Sequence, residues 1–197
     1  MTAGVTGCLC FAMENRMTNL VTRALLSFTQ RYSNAYFQRY QTLPCSHDLV
    51  GLASVCIQEQ EDDKVYWQAQ QRNSIASLAS VEQGMELTLH PDIDPFYGTQ
   101  YCADMPALWR DQALTLVQVW NKDDYVRLQE NILGHLVMQR RLKQKPTVFI
   151  ATTDDDMTVI SICNLTGNVI RETLGRKHRE VLCMDVVDFL NQLKPAV

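Results

Sequence analysis

With 197 residues, 46% hydrophobic and 20% charged, the chain is long enough to bury a proper core and fits a single globular domain. A net charge of −4 disfavours non-specific nucleic-acid binding, and no apolar run approaches the ~18–20 residues of a membrane span. Seven cysteines, at 8, 10, 45, 56, 102, 163 and 183, lack framework spacing; with no secretory signal they read as reduced thiols in a cytoplasm.

Residues 1–16, MTAGVTGCLCFAMENR, carry no periodic apolar face and are expected to be a disordered extension, leaving 17–197 as the domain. Val5-Thr6-Gly7-Cys8 faintly resembles a lipidation site, but no basic and apolar leader precedes it. From Thr18 to Tyr40, Leu20, Val21, Ala24, Leu25, Phe28, Tyr32, Ala35 and Tyr36 recur at helical spacing, with Thr18 or Asn19 as cap. Core packing explains that stripe better than a membrane surface does. Thr42 to Gly51 reads as an irregular connection. Ser54–Gln58 and Lys64–Gln68 read as a hairpin across the acidic turn 59–63.

Ser74 to Gln83 reads as a short helix ended by Gly84, and Glu86 to His90 as a strand. Asp94-Pro95 reads as a cap followed by proline at the first helical position, opening a short helix or turn through Phe96-Tyr97. Ala113 to Trp120 alternates as an inner strand should. Asn121 caps a long helix in which Tyr125, Leu128, Ile132 and Leu136 form the buried stripe. Asp123 and Asp124 at its start and Arg140, Arg141, Lys143 and Lys145 at its end both suit the helix dipole. Pro146 stops it before the strand Thr147–Ile150. Thr158–Cys163 and Asn168–Arg171 form a hairpin, and Asp185–Leu193 closes the chain as a helix. This order predicts an α+β fold, a single domain with a mixed or largely antiparallel sheet flanked by helices.

Motifs for catalysis or metal binding fail one by one: there is no nucleophile elbow, phosphate loop or zinc-type cysteine pairing. No catalytic residue, metal ligand or cofactor is assigned. The positive signal is charge segregation. Between Gln41 and Asn121 eleven acids face three bases, a net of −8 that leaves +4 for the remainder, and Asn73 to Trp109 holds no lysine or arginine. Aromatic residues share this region, and aromatic anchors ringed by acids suit a basic partner. The expected partner-binding residues are Glu61, Asp62, Asp63, Glu86, Asp92, Asp94, Asp104, Tyr97 and Trp67.

The run QENILGHLVMQRRLKQKPTVFIAT (129–152), with FYGTQYCADM (96–105), ISICNLTGNVIRETLG (160–175) and DFLNQLKPAV (188–197), resembles the SecY-interacting protein family, Syd. Cys102-Ala103, where the family carries Ala-Gly, and Ala69, where it carries Pro, depart from the pattern. The resemblance implies a non-enzymatic protein on the cytoplasmic side of the inner membrane. Such a protein binds SecY, the translocation channel, and restrains or monitors it when free or abnormal. Cytoplasmic loops of such a channel are rich in lysine and arginine, which an acidic surface would complement. Two other readings remain open on residues alone: an immunity-type inhibitor of a basic toxin, and a small hydrolase using Cys102 or Cys163 with a histidine.

Overall fold

A computed structural model describes residues 19–197; the expected extension 1–16 and a cap at Thr18 lie outside the described residues. Helix α1 (Leu20–Tyr40) starts where Asn19 accepts the Thr22 N–H at 3.0 Å. Its buried face carries Val21, Leu25, Phe28 and Tyr32, while Leu20 stands in solvent. Strands β1 (Cys45–Ser46), β2 (Ile57–Gln60) and β3 (Val65–Trp67) form a small antiparallel sheet in the order β1-β3-β2. The β2–β3 hairpin is as expected but shorter and tighter. The Glu61 N–H donates to the Lys64 carbonyl at 2.9 Å, so only Asp62-Asp63 form the tip.

Strand β4 (Gln70–Gln71) pairs with β5 (Gln100–Tyr101). Between them lies the stretch where sequence reading departs most from the structure. Helix α2 spans only Ala79–Met85, because the Ala76 N–H bonds the Gly98 carbonyl and the Leu78 N–H goes to Asp94 Oδ1. Gly84 lies inside α2, and the left-handed exit falls at Glu86 (φ 48°). Residues 86–90 are no strand: the N–H groups of Leu87 and Leu89 go to Glu82, and that of His90 to Asn164 Oδ1 at 2.7 Å. In α3 (Ile93–Gly98) the cap position is Asp92, two residues before the Asp94 of the sequence reading.

The main sheet follows, built from β6 (Met105–Trp109), β7 (Gln112–Leu116), β8 (Thr147–Thr153), β9 (Thr158–Cys163), β10 (Val169–Thr173), β11 (Arg179–Cys183) and β12 (Lys194–Pro195). Its order is β11-β10-β9-β8-β7-β6-β12 with every neighbouring pair antiparallel, so the fold is α+β as expected. Helix α4 (Lys122–Arg141) crosses back between β7 and β8, and α5 (Val186–Gln192) precedes β12. Ile132 and Leu136 of α4 join Val148, Ile150, Ile160 and Ile162 in one core, each fully buried side chain contributing about 1.5–3 kcal/mol before entropy. Arg31 of α1 ties in the other end, donating to the carbonyls of Leu190 (2.8 Å) and Leu193 (2.6 Å) that α5 leaves without helical partners. Strands β6 and β11 have no counterpart in the sequence reading.

Candidate functional site, an acidic cleft

The β6–β7 ladder ends at the Met105–Leu116 pair. Beyond it the Gln118 N–H turns to Asp104 Oδ1 (2.7 Å) and the Cys102 N–H to the Val119 carbonyl (2.8 Å). This margin lines a cleft of about 510 Å³. Trp67, stacked on Tyr32 with ring centroids 6.1 Å apart, lies at its base with Val117 and Phe149. Leu49 and Leu52 line it from the segment after β1, and Trp120 and Leu128 from the leader and face of α4.

Among polar and apolar side chains, three carboxylates line the cleft, those of Asp48, Asp104 and Asp124, against one cation, Arg127. Asp124 is fixed by its place in the helix. Its N–H donates to Asn121 Oδ1 (2.8 Å) and its Oδ2 accepts the Trp120 N–H (2.8 Å), a capping box reaching one residue beyond the cap. Its Oδ1 lies 3.3 Å from Arg127 Nη2. Asp104 accepts only the Gln118 N–H among the described side-chain bonds. Water reaches it, yet the surrounding protein strips enough hydration to push its carboxyl up to about 6; the Gln118 N–H opposes that rise and the Asp124 charge adds to it. The β2–β3 tip stands beside this cleft through His47, whose Nδ1 lies 2.6 Å from the Asp63 carbonyl and 3.6 Å from its carboxylate.

The structure disperses the acids singled out from sequence. Asp104 lies in the cleft, and Asp62 and Asp63 at the neighbouring tip. Glu61 sits there too but is paired with Lys64 at 3.1 Å. Glu86 is exposed at the end of α2. Asp92 belongs to another surface, facing His90 at 3.7 Å and lining a hollow with Asp185 and Asp188. Asp94 is engaged in capping Leu78. Tyr97 corrects the aromatic-anchor reading: it is 1% exposed, and its hydroxyl donates to the Phe149 carbonyl at 2.5 Å. Trp67 is equally buried and supports the cleft from beneath. Sequence reasoning missed Asp48 and Asp124 as site residues; Asp124 carried only a capping role there, and nothing local marks Asp48.

Cys45 and Cys102 line the cleft, but no histidine is among its lining residues. Burial pushes the Cys102 thiol well up, keeping it protonated. Burial also raises that of Cys163, but the Thr166 hydroxyl and the N–H groups of Leu165 and Thr166 outweigh it and bring the thiol below its usual range. His47 bonds Asp63, His90 accepts from Asp92 N–H, and His135 bonds Gln139 and Thr147.

An antiparallel sheet flanked by helices and opened at one margin into a carboxylate-lined cleft defines an α+β domain. The family model described as Syd protein (SUKH-2) matches residues 22–195. Protein Syd of Aliivibrio fischeri (strain MJ11) is 51% identical over 177 residues, 90% of this chain and 97% of that protein. Protein Syd of Cronobacter sakazakii is 46% identical over 181 residues (92% and 100%), and that of Salmonella arizonae 45% over 179 (91% and 99%). The chain belongs to the Syd family.

Proposed function

We propose that this chain is a non-enzymatic regulatory protein that docks through the cleft on basic cytoplasmic loops of the SecY channel and so restrains or monitors free or abnormal SecY. The observation that carries this reading is the excess of three carboxylates over one guanidinium in a cleft that also presents apolar side chains. A lysine or arginine entering from a channel loop finds its charge met at Asp104 and Asp48 and its aliphatic stem covered by Leu49, Val117 and Trp120. Asp62 and Asp63 at the neighbouring β2–β3 tip extend the field that steers encounter. Glu86, Asp92 and Asp94 leave the docking set, because each stands apart from the cleft or is engaged within the fold. No helix among the described residues is long and apolar enough to cross a membrane, which suits a peripheral protein held at the inner membrane by its partner.

The test is retention of purified, detergent-solubilised SecY by tagged protein. Asp48→Lys with Asp104→Lys should weaken binding at least ~tenfold, equivalent to about 1.4 kcal/mol. Asp92→Lys should leave it within about twofold. Normal binding by the cleft variant would place the docking face elsewhere, and absence of binding by the wild type would remove SecY as partner. An immunity-type role would use the same cleft, so retention of a basic toxin in place of SecY would choose that reading.

A further inference from the structure

Past the mouth of the cleft the chain holds an unusual loop. Residues 51–55 expose Leu52 (40%) and Val55 (64%), yet the loop's polar backbone is bound inward. The Trp120 indole N–H donates to the Leu52 carbonyl (2.9 Å), Asn121 Nδ2 to the Ala53 carbonyl (2.7 Å), and Ser54 Oγ to the Trp120 carbonyl (2.6 Å). Three side-chain bonds therefore fix two apolar side chains facing water. Beside them lies a depression of about 640 Å³ bounded by Tyr101 and by the first turn of α4, and Val126, 53% exposed, is one turn further along that helix. Leu52 and Arg127 line both this depression and the acidic cleft, so the two surfaces are continuous.

We infer that this shelf is the apolar half of the docking surface and receives a bulky apolar side chain carried by the same partner segment whose lysine or arginine enters the cleft. The inference rests on the docking reading above and adds a composition rule to it: basic residues flanking a leucine, isoleucine, phenylalanine or methionine. Charge complementarity supplies the occupant. The cleft selects a cationic segment, and one anchored there at Asp104 and Asp48 that leaves over Leu52 crosses directly onto the shelf, since Leu52 lines both. Loss of water from Leu52, Val55 and the incoming side chain then adds a term that salt does not screen, where the cleft alone supplies one that salt does. Small interfaces concentrate their affinity in such apolar anchors beside a charged rim.

Two short lysine-rich peptides test this, one with a central Leu-Phe pair and one with Ala-Ser there. Each is titrated into the full chain by calorimetry and by intrinsic tryptophan fluorescence, to which Trp120, its indole bonded to the loop, contributes with Trp67 and Trp109. The Leu-Phe peptide should bind about tenfold tighter. That gap should persist when salt weakens both and should close in Leu52→Ser/Val55→Ser; Val55→Ser alone, at a residue that lines the depression and not the cleft, should narrow it while binding the Ala-Ser peptide as the wild type does. Equal affinities for the wild type, or a gap that survives the double variant, would overturn the shelf while leaving the cleft intact. If neither peptide binds, the docking reading falls and the shelf with it. A wild-type dimer in sedimentation that the double variant abolishes would assign the shelf to a second copy and overturn the partner. Should the double variant melt early, Val55→Ser alone carries the comparison.

Discussion

Arg127 Nη2 lies 3.3 Å from Asp124 Oδ1, placing the cleft's one lining cation on one of its three carboxylates. The pair is three residues apart on α4 and its arginine is 59% exposed, so it contributes at most ~1 kcal/mol to folding. Under the docking reading it neutralises one of the carboxylates whose field a basic partner would meet. Arg127→Gln should therefore tighten binding of a basic partner by about threefold or more without moving the melting temperature measurably. The gain should vanish when Asp124→Asn is already present, as a double-mutant cycle will read. An additive gain in both backgrounds would reduce Arg127 to one more unit of net charge.

Between α4 and the sheet lies a polar cluster with the opposite character. Glu172, 4% exposed, accepts from Thr147 Oγ1 (2.5 Å) and faces Arg179 Nη2 at 2.9 Å and His135 Nε2 at 3.5 Å. Burial pushes its carboxyl up, but the bonds from His135 and Thr147 and the Arg179 charge bring it below its ordinary 4.5. Removing one member leaves the others buried and unpaired. Glu172→Ala should cost ~3–5 kcal/mol, a drop of roughly 6 °C or more in melting temperature. Because the folded value is depressed, the ion's stabilisation is present above the unfolded value and lost as pH falls through the folded one. The variant's deficit should accordingly shrink in acid. A melting temperature within about 2 °C of wild type at neutral pH would show that the cluster is not structural.

What was legible in the sequence follows how local each signal is. Asn121 and Asp185 cap α4 and α5 within three residues, and β9 and β10 are paired across a short turn, so pattern alone located them. The stretch 74–90 misled because its backbone N–H groups are claimed by side chains distant in sequence, those of Asp94 and Asn164, or by Glu82 from the helix behind. Strand β6 carries an inward alternation, Met105, Ala107 and Trp109, that Pro106 obscured. The cleft itself draws carboxylates from the segment after β1, the approach to β6 and the first turn of α4. Charge counting marked an acidic stretch, but only the tertiary fold decides which acids face one another.

Gly98 marks the close approach that misled the helix reading. A Cβ there would stand 2.3 Å from the Ala76 carbonyl oxygen and 2.6 Å from its nitrogen, both backbone atoms that cannot swing aside. Gly98→Ala should cost about 1–3 kcal/mol by overpacking, and a denaturant midpoint will read it. Gly134→Ala, with open space at its Cβ and a helical position, should instead be neutral or stabilising by up to ~1 kcal/mol. Equal effects at the two sites would refute the packing of α3 against residues 74–78.

Asp104 offers the sharpest sign test, because its carboxyl is displaced upward to about 6 from an ordinary 3.8. Between those values the folded state holds a proton that the unfolded chain has lost, so this residue's contribution makes stability fall as pH rises across that window. Above it the full cost of an ionised carboxylate in the cleft remains. Asp104→Asn keeps an oxygen to accept the Gln118 N–H and removes the charge. The variant should therefore melt with wild type near pH 4 and above it at pH 7. Partner binding should show the complementary dependence: a lysine or arginine in the cleft needs the ionised form, so affinity should decline as pH drops through about 6 and binding there should release a proton. In Asp104→Asn, binding should be weaker at pH 7 and flat across that range. A variant that is less stable than wild type at pH 7, or one that keeps the wild-type pH profile of binding, would show that Asp104 is a packing residue and that the cleft's charge lies with Asp48 and Asp124.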